Sequence, residues 1–183
     1  MRFFIMIRII GLDISSAVIG WALLEYDDKS VHLIEHGCIK PPKSSKGTLT
    51  YRVNDAYDEI YDFFKLKAPD IVASEAYVNK FTRGRSTART IIVLSVFNEI
   101  SSLACLRALE YEPYKYAVMT IRSKLSKLAG YRIISKDDCF EFVKKYFPSF
   151  KVKTNRNGKI AKESYDEADA IAVALTHIIK KRE

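Results

Sequence analysis

The opening stretch constrains the fold most. Residues 2–14 form a near-continuous β-branched and aromatic run, followed by runs at 17–26 and 30–39, with the turn-formers Ser15, Ser16, Asp27 and Asp28 between them. Such runs, punctuated this way, predict three strands in a meander. From 51 to 67 the period changes. Val53, Ala56, Tyr57, Ile60, Tyr61 and Phe64 recur at steps of three and four, the mark of an amphipathic helix, and Pro69 stops it. The short apolar run from Ile71 to Ser74, ending in Glu75, then reads as a buried strand. A crossover helix leads to it, so it should lie parallel to its neighbour.

Residues 86–109 carry apolar side chains on most faces, including Ile91, Ile92, Val93, Leu94, Val96 and Phe97. That predicts a helix either buried beneath the helices of 121–146 or shared with a second copy of the chain. We expect the second, a homodimer interface with Leu94 pointing outward. A strand near 113–119 and a helix near 121–128 ended by Gly130 follow. Ser135 and Asp138 are spaced as a capping box opening another helix, which Pro148 closes. An exposed, mobile loop over 149–164 and a last helix over 165–180 complete the order β-β-β-α-β-α-β-α-α-α. The expected fold class is α/β in one domain spanning 1–183. Its sheet is five-stranded and mixed, three antiparallel strands followed by parallel ones, with helices on both faces.

The acids carry the functional information. Asp13 ends one apolar strand, Glu75 ends another, and Asp166 and Asp169 lie three apart near the start of the last helix, hence on one face. Taken singly, each has a structural explanation: a turn cap, an arginine partner, a favourable place in the helix dipole. Together they point elsewhere. If neighbouring strand ends join Asp13 to Glu75 and the last helix packs across them, four like charges converge in a desolvated place. Hard divalent cations such as magnesium or manganese resolve that conflict. Two ions about 4 Å apart would hold a scissile phosphate between them.

Charge supports a polyanionic partner. The chain has a formal net charge of +8 and a pI near 9.3, a field that attracts nucleic acid. Directly after Glu75 come Tyr77, Lys80, Phe81, Arg83 and Arg85, with Arg89 a turn later: cations interleaved with aromatics, suited to phosphate contacts and base stacking. A second basic segment holds Lys151, Lys153, Arg156, Lys159 and Lys162. Both have a plainer reading as solvated charged surface. Cys38, Cys105 and Cys139 are odd in number and set among apolar neighbours, which suits free thiols in a reducing, cytoplasmic setting. The apolar start is short and broken by Arg8, so neither a membrane span nor a leader is expected there.

Three motifs resemble those of RuvC-like Holliday junction resolvases, within the RNase H-like superfamily. Ile10-Gly11-Leu12-Asp13-Ile14-Ser15-Ser16, continuing through Gly20-Trp21-Ala22, resembles their first catalytic strand and turn. Val72-Ala73-Ser74-Glu75 resembles their second, and the stretch from Tyr165 to Ala174 their Asp-x-x-Asp-Ala helix. Ile14-Ser15 departs from the Pro-Gly or Thr-Gly pair of many relatives. The resemblance implies an RNase H-like fold and four metal-binding acids at Asp13, Glu75, Asp166 and Asp169. It further implies two magnesium ions per site, replaceable by manganese, a 5′-phosphate product, and paired symmetric nicks in a four-way junction made by a homodimer. Such enzymes add a basic residue near the reacting phosphate; Lys124 and Lys136 both fall in the corresponding segment, with Arg122 and Lys127 close by. Tyr77 or Phe81 would reach the junction centre. The alternatives are another nuclease of this fold, acting on RNA:DNA hybrids or flaps, and a junction-binding protein that does not cut. The actin-like ATPase fold shares the Gly-x-Asp opening, but the chain is short for it and has no second glycine-rich phosphate loop.

Overall fold

The computed structural model describes residues 6–76 and 88–183. Strands β1 (Ile7–Ile14), β2 (Ile19–Tyr26) and β3 (Val31–Ile39) form the meander; β4 (Ile71–Glu75) and β5 (Tyr114–Tyr116) extend it into one sheet ordered β3-β2-β1-β4-β5. The β1–β2 and β2–β3 pairs are antiparallel, and the β1–β4 and β4–β5 pairs parallel. This is the predicted mixed sheet. Helices α1 (Leu49–Lys67) and α2 (Ala88–Leu109) cover one face, and α3 (Val118–Ala129), α4 (Lys136–Tyr146) and α5 (Lys162–Arg182) the other.

Strand alternation divides the core and aims the acids. Ile10 and Leu12 of β1 and Val72 of β4 pack with Phe64 of α1 and Phe97 of α2. Their neighbours Ile9 and Ala73 pack with Ile171 and Ala174 of α5. The same period of two puts Gly11, Asp13 and Glu75 on the α5 side.

Local chemistry sets the helix ends. Ala68 turns left-handed (φ 41°) just before Pro69, and its N–H still reaches the Phe64 carbonyl at 2.8 Å, closing α1. Gly130 ends α3 at φ 74°, where a side chain would be strained. The predicted capping box forms in full: Ser135 Oγ accepts from Asp138 N (3.0 Å) and Asp138 Oδ2 from Ser135 N (2.9 Å).

Three expectations change. β5 is only three residues long because Ala117 already caps α3, its carbonyl accepting from Thr120 N and Ile121 N. The 149–164 segment is not a bare loop. Thr154 bridges Ile160, Asn155 Oδ1 accepts from Asn157 N and Lys159 N, and Lys153 N donates to Ser164 Oγ at 2.8 Å. It is a hairpin-like turn stitched to an α5 that begins earlier, at Lys162. Finally, Leu94 of α2 is half-buried instead of pointing outward; the alternative, α2 beneath α3 and α4, does not hold either, since those two pack on α5 across the sheet. By length and composition α2 is apolar enough to cross a membrane; here Phe97, Ala104, Cys105 and Ala108 are buried in the core shared with α1. All three cysteines are free, as expected.

Candidate active site

Two glycines let α5 settle onto the sheet. A Cβ at Gly11 would lie 2.1 Å from the Ala170 carbonyl oxygen and 2.8 Å from Ala174 N, and one at Gly20 would lie 2.3 Å from the Asp166 carbonyl oxygen. Only hydrogen fits at either point, so α5 crosses β1 and β2 in direct backbone contact. Gly20 pairs with Asp13 across the β1–β2 register, which carries Asp166 and Asp169 toward Asp13. Ser74 pairs with Leu12, so Glu75 and Asp13 follow side by side at parallel strand ends.

The electrostatics register the convergence. Burial raises the Asp13 carboxyl well above its ordinary value, and Asp169, Glu75 and Asp166 push it further while Lys136 opposes them. Glu75 is pushed up to about 7, first by burial and then by Asp169, with Lys136 and Arg122 pulling back. Burial raises Asp169 as well, despite its bond to Lys136. Asp13, Glu75 and Asp169 line a cavity of about 250 Å³ with Arg122, Lys136 and Cys139. Asp166 is buried beside it.

Lys136, at the start of α4, holds the cluster together. Its Nζ lies 2.9 Å from Asp166 Oδ1 and 2.8 Å from Asp169 Oδ2. Burial would lower its pKa, but Asp169, Asp166 and Asp13 outweigh that and keep it charged. Among the described residues no three His, Cys, Asp or Glu side chains are arranged to hold an ion as they stand. The ammonium bridges Asp166 and Asp169 and offsets part of the negative charge of the cluster. Of the two candidate lysines, only Lys136 meets the acids; Lys124 pairs with Glu183 at the chain end.

The other expected residues scatter. Arg89 lines a separate cavity with Ser16, Thr48 and Arg52. Arg156 and Lys159 are exposed on the 149–164 hairpin. Tyr77, Lys80, Phe81, Arg83 and Arg85 lie outside the described residues.

Lys153 has a different place from the one expected. It bonds Glu167 Oε1, a fully buried carboxylate whose other oxygen lies 2.6 Å from His36 Nδ1. Cys38 Sγ stands 3.6 Å from the same Glu167, and His36 Nε2 accepts from Lys151 N at 3.2 Å. Burial pushes the Glu167 carboxyl up, but the bonds from His36 and Lys153 overcome it and hold it below its ordinary value. The network ties β3, the basic hairpin and α5 together one residue from Asp166. Glu167→Ala should therefore cost about 3 kcal/mol of unfolding free energy, since it strands the polar partners of a buried ion pair. Urea denaturation reads this directly; a loss under about 1 kcal/mol would show that the network adds little beyond an exposed pair.

No protein-family model matches the chain. It is 31% identical over 172 residues to a crossover junction endodeoxyribonuclease RuvC of Finegoldia magna, covering 93% of this chain and 92% of that protein. It is 27% identical over 177 residues to the RuvC of Dictyoglomus thermophilum, covering 94% and 97%. Among solved structures it resembles T. thermophilus RuvC in complex with a Holliday junction substrate, with a TM-score of 0.73 at 19% identity over 96% of this chain and 95% of that one. It also resembles the yeast mitochondrial Holliday junction resolvase Ydc2, with a TM-score of 0.65 at 11% identity over 99% and 84%. Those likenesses establish the RNase H-like sheet and its helices.

Proposed function

The chain belongs to the RuvC family of crossover junction endodeoxyribonucleases, and on that premise we propose that Asp13, Glu75, Asp166 and Asp169 form the centre at which it cuts DNA. It is a metal-dependent nuclease that resolves four-way junctions. One observation carries the assignment of the centre: four carboxylates from β1, β4 and α5 meet in a buried place where burial and mutual repulsion raise Asp13. The donor chemistry, carboxylate oxygens alone, suits magnesium, with manganese as a substitute. The four acids would hold two such ions, which when bound supply charge neutralisation and Lewis acidity at the phosphate.

The chain's own groups do the rest. Val118, Ile121 and Ala172 give the cavity an apolar wall that adds to the desolvation of Asp13 and Glu75. Lys136 balances the acids, and its ammonium stands at the centre where it would meet an oxygen of a phosphate held there. Arg122 lines the same cavity and is placed to hold the strand entering it. Arg89, Arg156 and Lys159 add phosphate contacts along the arms. The whole chain acts as one nuclease domain, in a homodimer that presents two such centres to one junction, and a DNA substrate places it in the cytoplasm.

A cleavage panel tests this reading. With magnesium, a four-way junction should yield two symmetric nicks while flap, RNA:DNA hybrid and linear duplex are cut at least about tenfold more slowly, and chelation should stop all cutting. A preference for the hybrid or the flap would reassign the substrate. Tight junction binding with no product even in manganese would make this a binding protein only.

A further inference from the structure

The cleft that holds the acids does not end at Arg122. Helix α3 and the 131–135 turn form its two walls, and they continue past the acids into a second hollow of about 490 Å³. Val118, Ile121 and Ser135 face the acid cavity, while Met119, Arg132 and Ile134 face the second, and Arg122 lines both. The floor is Ile133, buried and fixed by its N–H to Ser126 Oγ at 2.8 Å.

The composition of this hollow is unusual for idle surface. No carboxylate lines it, and two arginines do. Neither guanidinium is taken up in a salt bridge among the described residues. Met119 and Ile134 stand 74% and 59% exposed on opposite walls, apolar side chains with nothing packed on them. Cations with free forks suit phosphate, and exposed apolar groups flanking them suit the face of a base or sugar. The volume is that of a small-ligand site, enough for a nucleotide unit.

We propose that this hollow is a nucleotide subsite for the DNA strand next to the scissile phosphate, with Arg122 and Arg132 on one flanking phosphate and Met119 and Ile134 against its base and sugar. The proposal rests on the nuclease reading above, because only a strand already seated at the acids would run along this cleft. It makes the cleft a device for register. A strand gripped beside the acids cannot slide, so the position of the cut is set by protein contact as well as by junction shape.

The test couples a protein change to a DNA change, with binding measured in calcium or chelator so that cutting plays no part. A synthetic junction carries one neutral methylphosphonate, placed in turn at each of the two phosphates on either side of the mapped cut. Arg132→Gln should weaken binding several-fold and lower the salt slope by about one. One methylphosphonate position should do the same to the unmodified protein and add no further loss in Arg132→Gln. A 2-aminopurine beside that position should report contact in the unmodified complex and lose it in Met119→Ser/Ile134→Ser. Additive losses at all four positions, or an unchanged slope in Arg132→Gln, would overturn the subsite while leaving the nuclease intact. An unmodified protein that neither binds nor cuts junctions would instead remove the reading on which the subsite rests.

Discussion

Asp13→Asn should fold, bind junctions and cut them on the order of a thousandfold more slowly, a loss comparable to removing a central electrostatic group from other active sites. It should also be more stable than the parent without divalent ions. The reason is the direction of the Asp13 shift: a carboxyl raised well above its ordinary value is one whose ionised form the fold disfavours. An amide cannot ionise, so the strain is relieved. A gain of about 1 kcal/mol would lift the melting midpoint by roughly 2–4 °C in a chain of this size. Loss of function with gain of stability separates a catalytic acid from a structural one, which would lose both.

The pH dependence follows from Glu75, raised from an ordinary 4.5 to about 7. Between those values the folded state holds a proton that the unfolded state has released. The stabilisation tied to that proton is fully present below about 4.5 and is lost as pH rises through about 7. Metal-free protein should therefore melt earlier at pH 8 than at pH 6. Glu75→Gln should lessen that slope, leaving the share that comes from Asp13 and Asp169, and saturating magnesium should reduce it in the parent. Full cleavage by Asp13→Asn, or a lower melting point than the parent, would end the assignment of this centre.

How much of this was legible in the sequence depended on distance along the chain. Asp13 and Glu75 could be placed because strand alternation is strictly local: each follows an apolar run whose parity fixes its face. Asp166 and Asp169 share a face for the same reason at helical spacing. The choice between Lys124 and Lys136 was not local. It turned on how α3 and α4 lie against α5, and two helices with equally good lysines give no sequence signal for that. Glu167 was invisible for a similar reason. Its partner His36 lies 131 residues away, on a strand whose outward and inward positions look alike in composition. The one available signal was an acid inside an otherwise alanine-rich, buried helix, a placement that demands a partner. Gly11 and Gly20 read as ordinary strand residues until α5 is laid across them. The 149–164 segment reads as loop because its order comes from Asn155, Lys153 and Ser164, polar residues that a composition argument assigns to solvent.

The second large effect concerns assembly. On α2, Phe97, Ala104, Cys105 and Ala108 face inward, while Ile92, Leu103 and Leu106 point away from the described chain, the two leucines 46% and 40% exposed. Leu94 is half-buried, so the outward positions expected from sequence shift to this stripe. Glu99 interrupts it but is paired with Lys115, which leaves the leucines as its apolar centre. Across a two-fold axis each leucine is buried twice. At about 1 kcal/mol for each side chain only partly exposed to begin with, four leucines contribute roughly 4 kcal/mol, about a thousandfold in dissociation constant. Leu103→Arg/Leu106→Glu should thus sediment as a folded monomer at micromolar concentration where the parent is a dimer. Its centres would be intact but no longer tied to one junction, so the second nick should lag the first and singly nicked junctions should accumulate. If the parent itself is monomeric, both free and bound to a junction, this face is not the interface. The two nicks must then come from separate encounters, and the double variant should cut as the parent does.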